Sequence, residues 1–143
     1  MNLQTIFCHE KVVIQVSLKY SYLELEWLTH PISQVFREVV LRAHHYAHEQ
    51  QLTKWLCNIQ QADYLEAADQ LWLVKNIFTS FNPQLTHDYA YLIRPMVPEV
   101  VTAYNIMDLV EQDADLSARV KVAVFTDIDL AHQWLFTPVA QKV

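Results

Sequence analysis

The chain has 143 residues, with 10 basic against 16 acidic side chains and a formal charge of −6 at pH 7 with histidines neutral. It contains no glycine, which removes dinucleotide-binding loops, P-loops, nucleophile elbows, EF-hand loops and KH loops, since each needs φ > 0 or close approach of backbone to ligand. The acidic balance, without a Lys/Arg stripe, argues against a nucleic-acid partner, and no apolar run approaches the roughly 18 residues of a spanning helix.

The start of the chain, Met1 to Lys11, lacks the basic region and apolar core of a signal peptide, so it reads as cytoplasmic and without a transmembrane segment. Leu3–Cys8 and Val12–Leu18 are short β-type runs. Tyr22–Leu28 alternates apolar Leu23, Leu25 and Trp27 with Glu24 and Glu26, the period of a half-buried strand. Lys19-Tyr20-Ser21 forms the turn between the second and third strands. From Ile32 to Gln50, apolar Ile32, Val35, Phe36, Val39, Val40, Ala43, Tyr46 and Ala47 recur at spacings of three and four, predicting a long amphipathic helix that begins near Pro31. Lys54–Ile59 is a nearly continuous apolar run, as expected of a strand covered on both faces.

Asp63-Tyr64-Leu65-Glu66 has the capping-box spacing, so a second helix is expected from Tyr64 to about Phe81, ended by Asn82-Pro83. Its expected core stripe is Leu65, Ala68, Leu71, Trp72, Phe78 and Phe81. Asp88–Ile93 reads as a strand, Pro98–Val110 as a helix facing the core through Val100, Val101, Tyr104, Met107 and Val110, and Glu111–Ala118 as the longest loop. Arg119–Phe125 is the last strand. Thr126-Asp127-Ile128-Asp129 repeats the capping spacing and opens a short helix through Leu135, stopped by Pro138. The order β-β-β-α-β-α-β-α-β-α predicts one domain over residues 1–143, of α/β class: a mixed sheet with an N-terminal antiparallel meander and about four helices packed on it.

Five segments carry a resemblance: the meander ending in Leu23-Glu24-Leu25-Glu26-Trp27, the Phe36-Arg37-Glu38-Val39 helix, Lys54-Trp55-Leu56-Cys57-Asn58, the Asp69-Gln70-Leu71-Trp72-Leu73 helix and the closing Ala131-His132-Gln133-Trp134-Leu135 helix. Together, in this order and over nearly the whole chain, they resemble the STAS-like (SpoIIAA-like) proteins of Bacteroidetes, small domains described as STAS/SEC14-type. The resemblance implies a cytoplasmic regulatory module of the kind found in anti-sigma-factor antagonists, which bind a kinase and are switched by phosphorylation of a Ser or Thr between a strand and its following helix. The corresponding stretch here, Asn58-Ile59-Gln60-Gln61-Ala62-Asp63, has no hydroxyl to accept a phosphoryl group.

Ligands of open α/β sheets bind outside the C-terminal strand ends, where the chain offers Asn58, Gln60, Gln61, Asp63, Arg94 and Asp127. Arg94 suits an anionic group or a partner carboxylate. The second helix carries more apolar residues than one stripe needs, so Trp72 and Phe78 are the residues expected to meet a protein partner or a second copy of the chain. His44 and His48 stand i,i+4 on one helical face, a spacing that lets two imidazoles meet one ion. Without a Glu directly after His44, and with Arg37 nearby, the pair reads first as a boundary helix face and only second as a metal site. Cys8 and Cys57 lie in apolar runs without C-x-x-C spacing and read as reduced structural thiols, the buried one with a raised pKa. No serine has an elbow or triad context, so no catalytic residue and no cofactor is implied. The leading reading is a non-enzymatic interaction module, possible homodimer included. The alternative is a binding protein or sensor for a small apolar or lipid-like ligand, which requires a sizeable interior cavity.

Overall fold

A computed structural model describes residues 1–138 of the chain. Six strands form one mixed sheet in the order β1-β2-β3-β4-β5-β6. β1 (Gln4–His9), β2 (Val12–Ser17) and β3 (Tyr22–Trp27) are the antiparallel meander. β4 (Lys54–Asn58), β5 (His87–Leu92) and β6 (Val120–Phe125) continue it in parallel. Each parallel step needs a crossover. α1 (Ser33–Gln50) joins β3 to β4, a helical stretch opened by α2 (Ala67–Trp72) joins β4 to β5, and α3 (Val97–Glu111) with α4 (Ala114–Arg119) joins β5 to β6. Crossovers of one hand stepping in one direction place their helices on one face. α1, the α2 stretch and α3 share one core with Leu23, Leu25, Trp55, Cys57, Tyr89 and Tyr91 from that side of the sheet. α5 (Ile128–Phe136) covers the other face, packing Ala131 and Leu135 on Tyr22, Leu56, Ala90 and Leu92.

The strands follow their sequence patterns. β3 buries Tyr22, Leu23, Leu25 and Trp27 and half-buries Glu24 and Glu26. β5, covered on both faces, is buried along its whole length. Asp88 in that strand is held by an ion pair from Lys54 on β4, which satisfies a carboxylate that would otherwise be costly to bury.

Four helical expectations need correction. The second helix starts at Ala67, not Tyr64, because Asp63 lies in the left-handed region (φ 63) and offers no cap; Glu66 is the N-cap and makes no side-chain bond. Its path continues as a π-turn over Leu73–Ile77 and a 3₁₀ turn over Phe78–Ser80. The buried set is Asp69, Gln70, Leu73, Val74, Ile77 and Phe78, so Leu71 points outward and Trp72 is half-buried. The rotation has a polar cause: buried Asp69 accepts from Ser33 Oγ at 2.6 Å and Arg37 Nε at 2.8 Å, and Gln70 Nε2 donates to Leu65 O at 2.8 Å.

α3 is rotated in the same way. It buries Glu99, Thr102, Ala103, Ile106 and Val110, while Val101 and Tyr104 are exposed. Finally, the stretch expected to be a loop, Glu111–Ala118, contains most of α4, capped by Asp113 accepting from the Leu116 N–H at 3.1 Å. α5 is capped by Asp127, not Thr126, through the amides of Asp129 and Leu130.

Candidate functional site

The loops that follow β3, β4, β5 and β6 gather at the C-terminal ends of the parallel strands. Asn58 Oδ1 accepts the Gln60 N–H at 3.0 Å and fixes the exit from β4. Gln60 is half-buried and Gln61 exposed. In the loop after β3, His30 Nδ1 lies 2.6 Å from the Ala62 carbonyl. A carbonyl can only accept, so this nitrogen carries the proton. The same ring packs on Tyr64, centroids 4.6 Å apart.

Arg94 ties this rim together. Its Nε donates to both Glu99 oxygens, at 3.2 and 3.1 Å, and its Nη2 donates to Asp63 Oδ1 at 3.0 Å. The Arg94 side chain is 46% exposed and the Glu99 side chain 0%. Arg94 therefore keeps a buried carboxylate paired and still presents a guanidinium edge to solvent. Glu99, hidden among apolar α3 residues in the sequence, is the part of this site that sequence reasoning missed; the i, i+5 spacing from Arg94 across a proline turn gives no recognisable signal.

Beside the rim, α3 shows Val97 (75% exposed), Val101 and Tyr104 at helical spacing, and Met96 precedes them, all exposed. Leu65 N–H donates to Thr102 Oγ1 at 3.3 Å, which lays the Asp63–Tyr64 loop against α3. The larger exposed apolar set thus lies on α3, and the helix that precedes β5 shows Leu71. Phe78, expected as a contact residue, has no exposed surface and packs on Phe81 and Tyr89. Trp72 is half-buried, in edge contact with Phe36 and under the Arg37 guanidinium.

His44 and His48 lie on α1 with ring centroids 6.2 Å apart, His44 half-buried and His48 exposed. They line a small cleft with Trp55, Phe81 and His87 whose free volume is about 10 Å³. Phe81 stacks on His87 at 4.4 Å and faces His44 at 5.5 Å. Burial first, then the neighbouring His48 and His45, holds His44 below the ordinary imidazole range. Burial lowers His87 further, to about 4, with Arg119 and His44 adding to it and the Leu85 carbonyl and Asp88 opposing it. Among the described residues no group of three or more His, Cys, Asp and Glu side chains is placed to hold a metal ion.

On the opposite face, Tyr22 Oη donates to Glu24 Oε1 at 2.8 Å and lies 3.1 Å from His132 Nε2, a network that fastens α5 to the sheet. Burial, then the charge of Glu24, raises Glu26. Cys57 is fully buried on β4, and burial pushes its thiol up to about 12, against a hydrogen bond with Tyr89, which suppresses the thiolate. Cys8 is a free, exposed thiol on β1. Among the described residues no helix is long and apolar enough to cross a membrane. No protein-family model matches the chain, and no curated protein or solved structure does.

Proposed function

We propose that the chain is a non-enzymatic, cytoplasmic interaction module of STAS-like kind that docks a protein through α3 and the adjoining strand-end rim. The observation that carries this is the exposed apolar stripe Met96, Val97, Val101 and Tyr104 beside the Asp63–Arg94–Glu99 cluster. An apolar set rimmed by charge is the form of an interaction surface. Of the exposed charges near it, Asp63, Glu66, Asp108 and Glu111 are acidic and Arg94 is basic, so the partner surface is apolar with a mainly basic border. The STAS-like assignment rests on element order and the quoted segments. The phosphoswitch of the antagonists is not carried over, since Asn58–Asp63 has no hydroxyl side chain. The lipid-carrier alternative has weaker support: the most enclosed of the described clefts, beside Trp55 and Phe81, holds about 10 Å³, room for about one water molecule, and the larger hollows, up to about 660 Å³ beside Leu41 and Arg42, are open surface grooves.

A photo-crosslinking residue at Val101, used in the protein's own cell, should give one discrete adduct with a different protein. The same residue at Glu49, exposed on α1, should not. The purified partner should then bind wild type and lose about tenfold or more in affinity to Val101→Asp or Tyr104→Ser. Equal adducts at both positions, or adducts only between copies of this chain, would overturn the proposal.

A further inference from the structure

β6 is the outermost strand and pairs only with β5. The Ile93 N–H donates to the Phe125 carbonyl, so Phe125 turns its main chain toward β5. By the alternation of a parallel ladder, Ala123 and Lys121 do the same, and Val122 and Val124 turn their N–H and C=O groups outward. Among the described residues no hydrogen bond takes up those outward groups. The pairing with β5 runs without a bulge from His87↔Val120 to Leu92↔Phe125. The strand Val-Lys-Val-Ala-Val-Phe contains no proline and one charge.

The opposite edge differs. β1 shifts register between Thr5 and Phe7, and its end residues Gln4, Thr5, Cys8 and His9 are exposed. A bulge and polar side chains discourage strand addition there, whereas a flat apolar edge invites it.

We propose that β6 pairs antiparallel with β6 of a second copy, joining the two six-stranded sheets into one across a twofold axis. The occupant follows from charge and register. β6 is flanked by Arg119 and carries Lys121 at its start, and Asp127 and Asp129 follow its end, so antiparallel pairing sets the basic end of each copy against the acidic end of the other. Outward-facing residues must oppose one another to exchange hydrogen bonds. Among the registers that meet this condition, the one that also sets Arg119 of each copy against Asp127 of the other puts Val122 opposite Val124, Ala123 opposite Ala123 on the axis, and Lys121 opposite Phe125. Small Ala123 lets the strands close at the point where two identical side chains meet. An open groove lined in part by Met107, Val110, Ser117 and Val122 gives the incoming strand access. The groove borders α3, but Met96, Val97, Val101 and Tyr104 do not line it.

Sedimentation of the full chain in reducing buffer, over a dilution series, tests it. Wild type should be a dimer that dissociates on dilution. Val122→Pro removes one outward N–H and none of the β5 bonds, and should be monomeric with an unchanged near-UV spectrum. If that variant fails to fold, cross-linking decides: Ala123→Cys in a Cys8→Ser background should oxidise to a covalent dimer, and Lys121→Cys, displaced along the pair, should not. Val101→Asp should leave the dimer intact, which separates failure here from failure of the docking reading. A wild type that is monomeric throughout, with the edge then open only to a strand of another protein, overturns the proposal. So does a dimer lost in Val101→Asp, or one in which Ala123→Cys does not cross-link.

Discussion

Gln51 closes α1 with φ 55 and ψ 41, and its amide reaches back to the Ala47 and His48 carbonyls. This is the position where helices favour glycine, because a Cβ is strained there, yet the chain supplies none. Gln51→Gly should therefore stabilise the protein by about 0.5–1 kcal/mol, read as a rise of about 3 °C in thermal midpoint. His87 makes the opposite contribution at low pH. The residue is 5% exposed, and burial holds its imidazole at about 4 against an ordinary 6.5. Between these values the unfolded chain binds a proton that the native chain does not. Stability should fall as pH drops from about 6.5 toward 4, by up to about 3 kcal/mol, and level off below. Urea titrations at a series of pH values should show this slope flattened in His87→Phe; an unchanged slope would assign the acid sensitivity to other groups. The seven histidines read in sequence as a charge change from −6 to +1 on complete protonation. In the native chain His87, held at about 4, takes no part in that change between pH 7 and 5.

At the scale of elements, Arg94 and Glu99 join the exit of β5 to the first turn of α3. Removing only the guanidinium leaves a buried carboxylate without its cation. Arg94→Met should be clearly destabilising, and Arg94→Met with Glu99→Leu should recover most of the loss, as a double-mutant cycle by chemical denaturation would measure. The exposed α3 residues should behave differently. Val97→Ser and Tyr104→Ser, each a surface change, should stay within about 0.5 kcal/mol of wild type. A larger destabilisation would mean that the stripe packs within the fold and is not a docking surface. These elements also mark how far the sequence was legible. Strand alternation in β3 and the apolar run of β4 predicted position and burial together. The phases of α2 and α3 were misread because buried polar residues set them: Asp69 by Ser33 and Arg37, Glu99 by Arg94, Thr102 by the Leu65 amide. Apolar spacing carries no record of such polar partners, whether 5 residues away, as Arg94 is from Glu99, or 36, as Ser33 is from Asp69.

For the whole molecule, one short helix carries the cover of a sheet face. Ala131 and Leu135 of α5 are fully buried on Tyr22, Leu56, Ala90 and Leu92. Leu135→Ala should cost about 2–5 kcal/mol by leaving a cavity between helix and sheet. Hydrogen exchange should show the loss as faster exchange in α5 and at the Tyr22 end of β3, with the α1–α3 face less affected. Uniform acceleration over the chain would instead make α5 part of a single cooperative unit with both faces.

The sequence by itself determined the class and, α4 apart, the order of the elements, the antiparallel-then-parallel change after β3 and the absence of glycine-dependent loop motifs. These are local properties, written in periods of two and three to four and in the residue inventory. Tertiary structure alone decided which helix presents its apolar side to solvent, which carboxylates are buried and paired, and which sheet edge is left flat. Each of those depends on residues that meet only after three crossovers have folded back on one sheet, so hydrogen-bond pairing and edge position have no local signature to read.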